Sequence, residues 1–273
     1  LSHTFLNLGK LFLNQLVSSQ LDMDRLDYLK RDSFFTGVTE GNIGVDRIIS
    51  MLDIKDDRLV IEEKGIYSIE KFIIARRLMY WQVYLHKTVL SAENMLIQIL
   101  NRAKYLYKNS KKIYLSPDLK RFFENSFTID EFIKDDTILE NFSRLDDYEI
   151  YASLKYWIKN KDFVLSNLSQ KILDREILKI RIQKIKFNKK TISEYRLNMM
   201  KKENINLNES KYFIFSDKVS NSLYSIHESN IKILFKDGNI KDLSYSSDQF
   251  NLKVLAKTIN KYFLCSPSEY LVE

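Results

Sequence analysis

Cysteine, histidine, proline and glycine are all scarce in this chain. Among its 273 residues there is one cysteine, Cys265, and three histidines, His3, His86 and His227. A single cysteine excludes an intrachain disulfide and fits a reducing, cytoplasmic setting. Cys265 sits in the apolar run Tyr262-Phe263-Leu264-Cys265 and reads as a packed thiol. With so few Cys and His, a structural zinc site of those ligands is nearly excluded. No apolar run approaches the roughly 20 residues needed to span a bilayer, and no basic segment precedes an apolar stretch at the start, so neither a membrane partner nor a secretory signal is expected. The chain does not begin with Met, consistent with an N-terminus that lies upstream. Six glycines and two prolines leave few turns and breaks, which predicts long helices.

What is present is an ordinary globular composition, 45% hydrophobic and 29% charged, with length enough for one large helical domain and a smaller one. The net charge of +7 is concentrated. Between residues 170 and 202, eleven Lys and Arg stand against three acids. Such a segment can attract a nucleotide effector or nucleic acid, or can simply be a solvated face; both readings stay open.

Apolar spacing predicts helices over 5–17, through the Asp-rich stretch to Thr36-Gly37, over 44–52, and over a long run from Ser68 to about Lys108 that Ser68 could cap. Shorter helices are expected after Ser116-Pro117, after Thr128 and over 146–159, where Trp157 takes the apolar side. A short strand is expected at 58–63, with Lys64-Gly65 as its turn. Beyond Asp162 the character changes. Residues 177–187 alternate apolar and basic, 212–215 and 231–235 look strand-like, Asp237-Gly238 signals a hairpin, and 252–263 reads as a closing helix. The expected fold class is mainly α over 1–161, with a smaller α+β part over 162–273.

Two polar clusters carry chemistry. Between Asp22 and Asp32 the chain packs acids, bases and a tyrosine around apolar Met23, Leu26 and Leu29. At about 3.6 residues per turn, Asp24, Tyr28, Arg31 and Asp32 project from one side. Downstream, Arg76, Tyr80, Tyr84 and Lys87 share a helical face, which can hold a phosphate chain and stack on a sugar or base. On spacing alone, a packing or interface role for the second cluster is the commoner outcome.

The stretch from Gln20 to Ser33, followed by Thr36-Gly37-Val38, resembles the signature of HD-domain phosphohydrolases of the deoxynucleoside triphosphate triphosphohydrolase type, and Ala75 to Lys87 resembles a later helix of the same family. The resemblance runs from about Leu13 to Ile180, and less specifically into the C-terminal part. It implies a helical HD-type body. Asp24 would complete the metal site, Arg25 would contact the triphosphate, Tyr28 and Asp32 would hold the sugar, and Asp32 would accept from its 3′-hydroxyl. Arg76 would bind phosphate and Tyr84 would pack on the sugar. Tyr80 stands where some relatives have His and Leu85 where some have Gln, which leaves base and sugar selectivity open. The implied reaction is hydrolysis of a (deoxy)nucleoside triphosphate to nucleoside and triphosphate. It would use a divalent metal (Mn, Fe, Ni, Zn or Mg) in a homo-oligomer.

One part of the pattern is missing. The family's metal site needs an upstream His and an adjacent His-Asp pair, and no His-Asp dipeptide occurs in this chain. Ser2-His3 resembles the end of the family's HD segment. Three explanations stand side by side: an N-terminal loss with an internal gap, a truncated gene product, or a non-catalytic nucleotide-binding module. Binding of single-stranded nucleic acid through the basic segment is a weaker further reading.

Overall fold

The computed structural model describes residues 9–221, 230–246 and 258–271. Its helices and strands follow in order. The first are α1 (Leu11–Val17), α2 (Met23–Thr36), α3 (Val45–Ser50), β1 (Leu52–Lys55), β2 (Arg58–Glu62) and α4 (Ile66–Met79). A π-helical turn (Tyr80–Tyr84) comes next, then α5 (Lys87–Lys108), α6 (Pro117–Glu124), α7 (Ile129–Lys134), α8 (Asp136–Arg144), α9 (Asp147–Trp157) and α10 (Phe163–Leu173). After these come β3 (Lys179–Gln183), α11 (Lys189–Glu203), α12 (Leu207–Phe213), β4 (Phe215–Asn221), β5 (Lys232–Leu234), β6 (Ile240–Asp242), α13 (Leu243–Ser246) and β7 (Ile259–Ser266). The chain is mainly α with a smaller α+β part, as its composition implies. Among the described residues no helix is long and apolar enough to cross a membrane.

The chain divides into two compact units, 1–86 with 219–260 and 87–218 with 261–273. The boundary expected between 161 and 162 falls inside the second unit, where α9 and α10 pack on each other. The change of composition at that point marks a change in local structure, and the chain stays within one compact body across it.

In the first unit, β1 and β2 form an antiparallel hairpin, β5 joins β2 in parallel, and β6 closes the sheet antiparallel to β5. Late strands thus complete a sheet begun early. The core sets Leu26 and Leu29 of α2 against Ile69, Phe72, Ile73 and Met79 of α4, with Ile48, Ile61, Ile233 and Leu243 around them. The α2 register is fixed at both ends. The Asp22 carboxylate caps it by accepting from the Arg25 N–H at 2.8 Å, and Gly37 ends it in the left-handed region at φ 72°. Gly41 sits so close to α2 and α4 that an added Cβ would stand 2.9 Å from the Ser33 Cβ and 3.0 Å from the Leu29 carbonyl oxygen. That close approach seats the short turn Thr39–Gly41 against both helices. The Asp237-Gly238 turn joins β5 to β6 as expected, with Gly238 at φ 84°.

In the second unit, α5 packs on α10, with Met95, Ile99, Ala103, Val164, Leu165 and Leu168 among its buried residues. Trp157 is fully buried and donates its indole N–H to the Tyr114 carbonyl at 2.8 Å. Ser116 and Thr128 cap α6 and α7 as their sequences imply, Thr128 in a reciprocal capping box with Glu131. The sheet runs β3-β7-β4, with Ile180 opposite Cys265 and Ile182 opposite Phe263. Cys265 is buried there, and burial raises its thiol pKa to about 12, so it stays protonated and inert.

Three expectations are corrected. The helix expected over 68–108 is two helices separated by the π turn, and the first starts at Ile66 after Gly65, so Ser68 is not its cap. The break falls at Tyr-Trp-Gln-Val-Tyr, whose aromatic and β-branched side chains lose rotamer freedom in a helix, yet no Gly or Pro announces it. Tyr212 and Phe213, expected in a strand, end α12, which Asn206 caps; the strand starts at Phe215. Residues 259–263, expected in a closing helix, belong to β7, and the earlier part of that expected helix, 252–257, lies outside the described residues. In the second and third cases, capping and tertiary pairing outweigh local apolar spacing. His3, His227 and the start of the helix expected over 5–17 also lie outside the described residues.

Candidate functional site

The site is built in the first unit from α2, α4 and the π turn. From α2, the i and i+4 positions bring Tyr28 and Asp32 onto one flank, while Leu26, Leu29 and Ser33 turn into the core. From α4 and the π turn come Arg76, Tyr80 and Tyr84. A π turn is rare and is found most often at functional sites; here it presents the two tyrosines.

These side chains meet. The Tyr84 hydroxyl donates to Asp32 Oδ2 at 2.7 Å. The Tyr84 ring lies edge-on to Tyr28 (centroids 5.8 Å apart) and to Tyr80 (5.2 Å). The Arg76 guanidinium stands 5.8 Å from the Tyr80 ring centre. All five are half-buried. Asp32 Oδ1 has no protein partner among the described residues, so one carboxylate oxygen remains for a ligand.

The electrostatics follow from the packing. Burial raises the Tyr84 pKa, and the hydrogen bond to Asp32 and its charge raise it further. Burial raises Tyr28 as well, with Tyr80 adding to the rise and the Arg76 and Arg25 cations opposing it. Both phenols therefore stay protonated as donors. Tyr84→Phe tests the coupling. A raised folded pKa means that the Tyr84–Asp32 bond stabilises fully below the unfolded value of 10.0, and the gain is lost as pH rises through the folded value. The variant should lose about 1 kcal/mol near neutral pH, the low end for a bond to a charged group because the pair is half-exposed. Above pH of about 10 its thermal midpoint should fall less steeply than that of the parent, as read by melts across pH.

Other predicted residues are placed differently. Arg25 Nη1 is held by Asp22 Oδ2 at 2.8 Å and donates to the Ser19 carbonyl, so its charge is partly committed to the start of α2. Arg31, expected beside Tyr28 and Asp32, instead pairs with exposed Asp27 at 2.8 Å on another flank of α2. Lys87 begins a new helix, so the continuous face expected from Arg76 to Lys87 ends at Tyr84. Asp24 is exposed, and no hydrogen bond or ion pair holds its carboxylate among the described residues. One contact was not readable from sequence: Gln82 Nε2 donates to Glu40 Oε1 at 2.9 Å, tying the Thr39–Gly41 turn to the π turn across 42 residues of chain. That bond lowers the Glu40 pKa. No local signal marks it.

A divalent metal is implied by the resemblance, and the described residues do not fit one. Among them, no group of three or more His, Cys, Asp and Glu could hold a metal ion. Asp24 is a single exposed carboxylate, and three further ligands would have to come from elsewhere.

With this geometry in place, comparison with known proteins is informative. Residues 43–115, which include Arg76, Tyr80 and Tyr84, match the family described as HD associated region. Around it the fold resembles the crystal structure of a phosphohydrolase from Bacteroides thetaiotaomicron. The TM-score is 0.85 and the identity 49%, covering 94% of this chain and 64% of that one. A hypothetical protein from Aquifex aeolicus shares the fold alone, with a TM-score of 0.61 at 24% identity over 94% of this chain and 57% of that one. The uncharacterized protein YwfO of Bacillus subtilis is 31% identical over 243 residues, which is 85% of this chain and 52% of YwfO. The chain thus spans about half the length of this curated relative. The HD-associated region and the phosphohydrolase neighbour together point to an HD-domain protein. The tyrosines of the candidate site lie inside and just before the HD-associated region.

Proposed function

We propose that the protein to which this chain belongs is a metal-dependent HD-domain phosphohydrolase that converts (deoxy)nucleoside triphosphates to nucleoside and triphosphate. The observation that supports this most is the continuous array Asp32–Tyr84–Tyr28–Tyr80–Arg76, a carboxylate, three stacked-edge phenols and a guanidinium on one wall. Each part suits one part of a nucleotide. The free Asp32 oxygen accepts from a sugar hydroxyl. Tyr84 and Tyr28 flank the sugar ring, with Tyr84 held in place by its hydrogen bond to Asp32. Tyr80 offers a face to the base, and Arg76 pairs with phosphate. Arg25, anchored to Asp22, adds positive potential at the phosphate end.

In this reading the chain supplies the substrate side of the site, and Asp24 is its contribution to a metal (Mn, Fe, Ni, Zn or Mg). Bound metal would polarise a phosphate oxygen and activate water. The chain's own residues bind and orient the nucleotide. The whole protein is further proposed to act as a homo-oligomer, with the basic 170–202 segment open to a nucleotide effector or nucleic acid.

The second reading is a nucleotide-binding module without hydrolysis, in which Asp32, Tyr84 and Arg76 only bind. One preparation separates the two. The full-length protein, assayed with Mn²⁺ against a panel of deoxynucleoside triphosphates and analysed for bound metal, should hold metal stoichiometrically and release triphosphate. Nucleotide binding without metal or turnover would support the module, and failure to bind any nucleotide would remove both readings.

A further inference from the structure

The second unit contains a cavity of about 590 Å³ lined by Leu106, Lys111, Lys112, Lys159, Asn160, Lys161 and Asp162. It is independent of the site above, and it lies outside the basic 170–202 segment. Two Lys-Asn turns form it. One follows α5 (Lys108-Asn109-Ser110-Lys111-Lys112) and the other follows α9 (Lys159-Asn160-Lys161).

The charge at this cavity is uncompensated. All four lysines are exposed, and among the described residues none takes part in an ion pair or a side-chain hydrogen bond. The one acid in the lining is already engaged. Asp162 accepts from Arg102 at 3.0 and 2.6 Å and from the Leu165 N–H at 2.9 Å, where it caps α10. Four ammonium groups gathered round one hollow repel each other unless an anion sits among them. The N-terminus of α10, an eleven-residue helix, opens beside Asp162 and adds positive potential.

The frame is built, although the lysine tips are mobile by nature. Ser110 takes the left-handed conformation at φ 56°, and the Lys111 N–H returns to the Leu106 carbonyl at 3.0 Å. The Asn160 amide donates to the Lys112 carbonyl at 3.5 Å, its own oxygen accepts from the Asp162 N–H at 2.9 Å, and the buried Trp157 indole holds the Tyr114 carbonyl. The two segments are therefore tied to each other at two points, Asn160 to Lys112 and Trp157 to Tyr114.

We infer that this four-lysine cavity binds a short phosphate chain, either free as an inorganic oligophosphate or as the chain of a nucleotide. Lysine is a point charge on a flexible stem without the planar fork that selects carboxylates, which suits a chain of phosphates in variable orientation. The hollow is bounded by two short turns, which suits a few phosphates, whereas a nucleic-acid backbone would need a longer groove.

The test is calorimetric titration of the full-length protein with inorganic triphosphate and, separately, with dATP. Both titrations are done in an Asp32→Ala/Arg76→Ala background, so that failure of the nucleotide site proposed above does not decide the outcome. Triphosphate should bind, and replacing Lys111, Lys112, Lys159 and Lys161 with Ala should weaken it at least about tenfold, the scale of losing several charge pairs. Replacing exposed Lys120 and Lys134 instead should change it by less than about twofold, since isolated surface charges contribute little. Equal affinity for triphosphate and dATP would identify the phosphate chain alone as the ligand, and tighter dATP would identify a nucleotide. The inference falls if triphosphate does not bind, if the two lysine sets weaken it equally, or if a single-stranded oligonucleotide binds far more tightly than either.

Discussion

Asp32→Ala is expected to lower nucleotide affinity and kcat/KM of the full-length protein by roughly 10- to 100-fold, the equivalent of losing a hydrogen bond to a charged group at about 1.5–3 kcal/mol. Two effects combine. The substrate hydroxyl loses its acceptor, and the Tyr84 hydroxyl, now 2.7 Å from Asp32 Oδ2, loses the bond that fixes its ring between Tyr28 and Tyr80. The fold should survive, because Asp32 is half-exposed and the α2 core contacts are made by Leu26 and Leu29. Asp27→Ala is the matched control: it removes an exposed carboxylate of the same helix whose partner is Arg31. Steady-state kinetics, or titration if turnover is absent, reads the result. A variant indistinguishable from the parent would remove Asp32 from the site and leave the tyrosine array as packing.

Arg102→Ala should destabilise the second unit by about 3–5 kcal/mol, the scale for stripping one partner from a buried ion pair. The Arg102 side chain is only 8% exposed. It forms a two-pronged bond with Asp162, approaches Glu209 at 3.3 Å, and lies between the Tyr105 and Tyr212 rings, 5.2 and 5.3 Å from their centres. Burial opposes its charge, and the hydrogen bond and charge of Asp162 together with those of Tyr212 more than offset that, so its pKa is raised. Removal strands two carboxylates, one of them the cap of α10. Arg102→Lys keeps the charge without the fork and should recover part of the loss. With Trp81 replaced by Phe, Trp157 alone reports this unit, since the chain has two tryptophans. Urea unfolding followed by its fluorescence gives the difference. A loss below about 1 kcal/mol would place this pair with ordinary surface ion pairs.

Much of the local structure was legible because its causes are local. Gly37 ends α2, Ser116, Thr128 and Asp146 start their helices, and Asp237-Gly238 turns a hairpin. Each of these acts on backbone groups within four residues of itself. The elements that were misread depend on distant chain. Tyr262 and Phe263 pair with Gln183 and Ile182 of β3, about eighty residues earlier, and Phe215 starts a strand only beyond the end of α12. Within the candidate site, the residue types and their helical spacing were visible in the sequence. The π turn, the Asp22–Arg25 pair and the Glu40–Gln82 bond were not, since each follows from competition among neighbours for a few donors and acceptors.

By itself, the sequence determined a mainly helical chain, a buried lone cysteine, the end of α2 and the starts of α6, α7 and α9, and two polar clusters of the right chemistry for a nucleotide. Short-range capping and apolar periodicity suffice for that. Only the tertiary structure decided that Asp32 and Tyr84, 52 residues apart, share a proton donor and acceptor, that Arg31 faces away, and that late strands finish an early sheet. Such contacts are fixed when α2 and α4 bury their apolar faces against each other, and the orientation of the polar flanks follows from that packing.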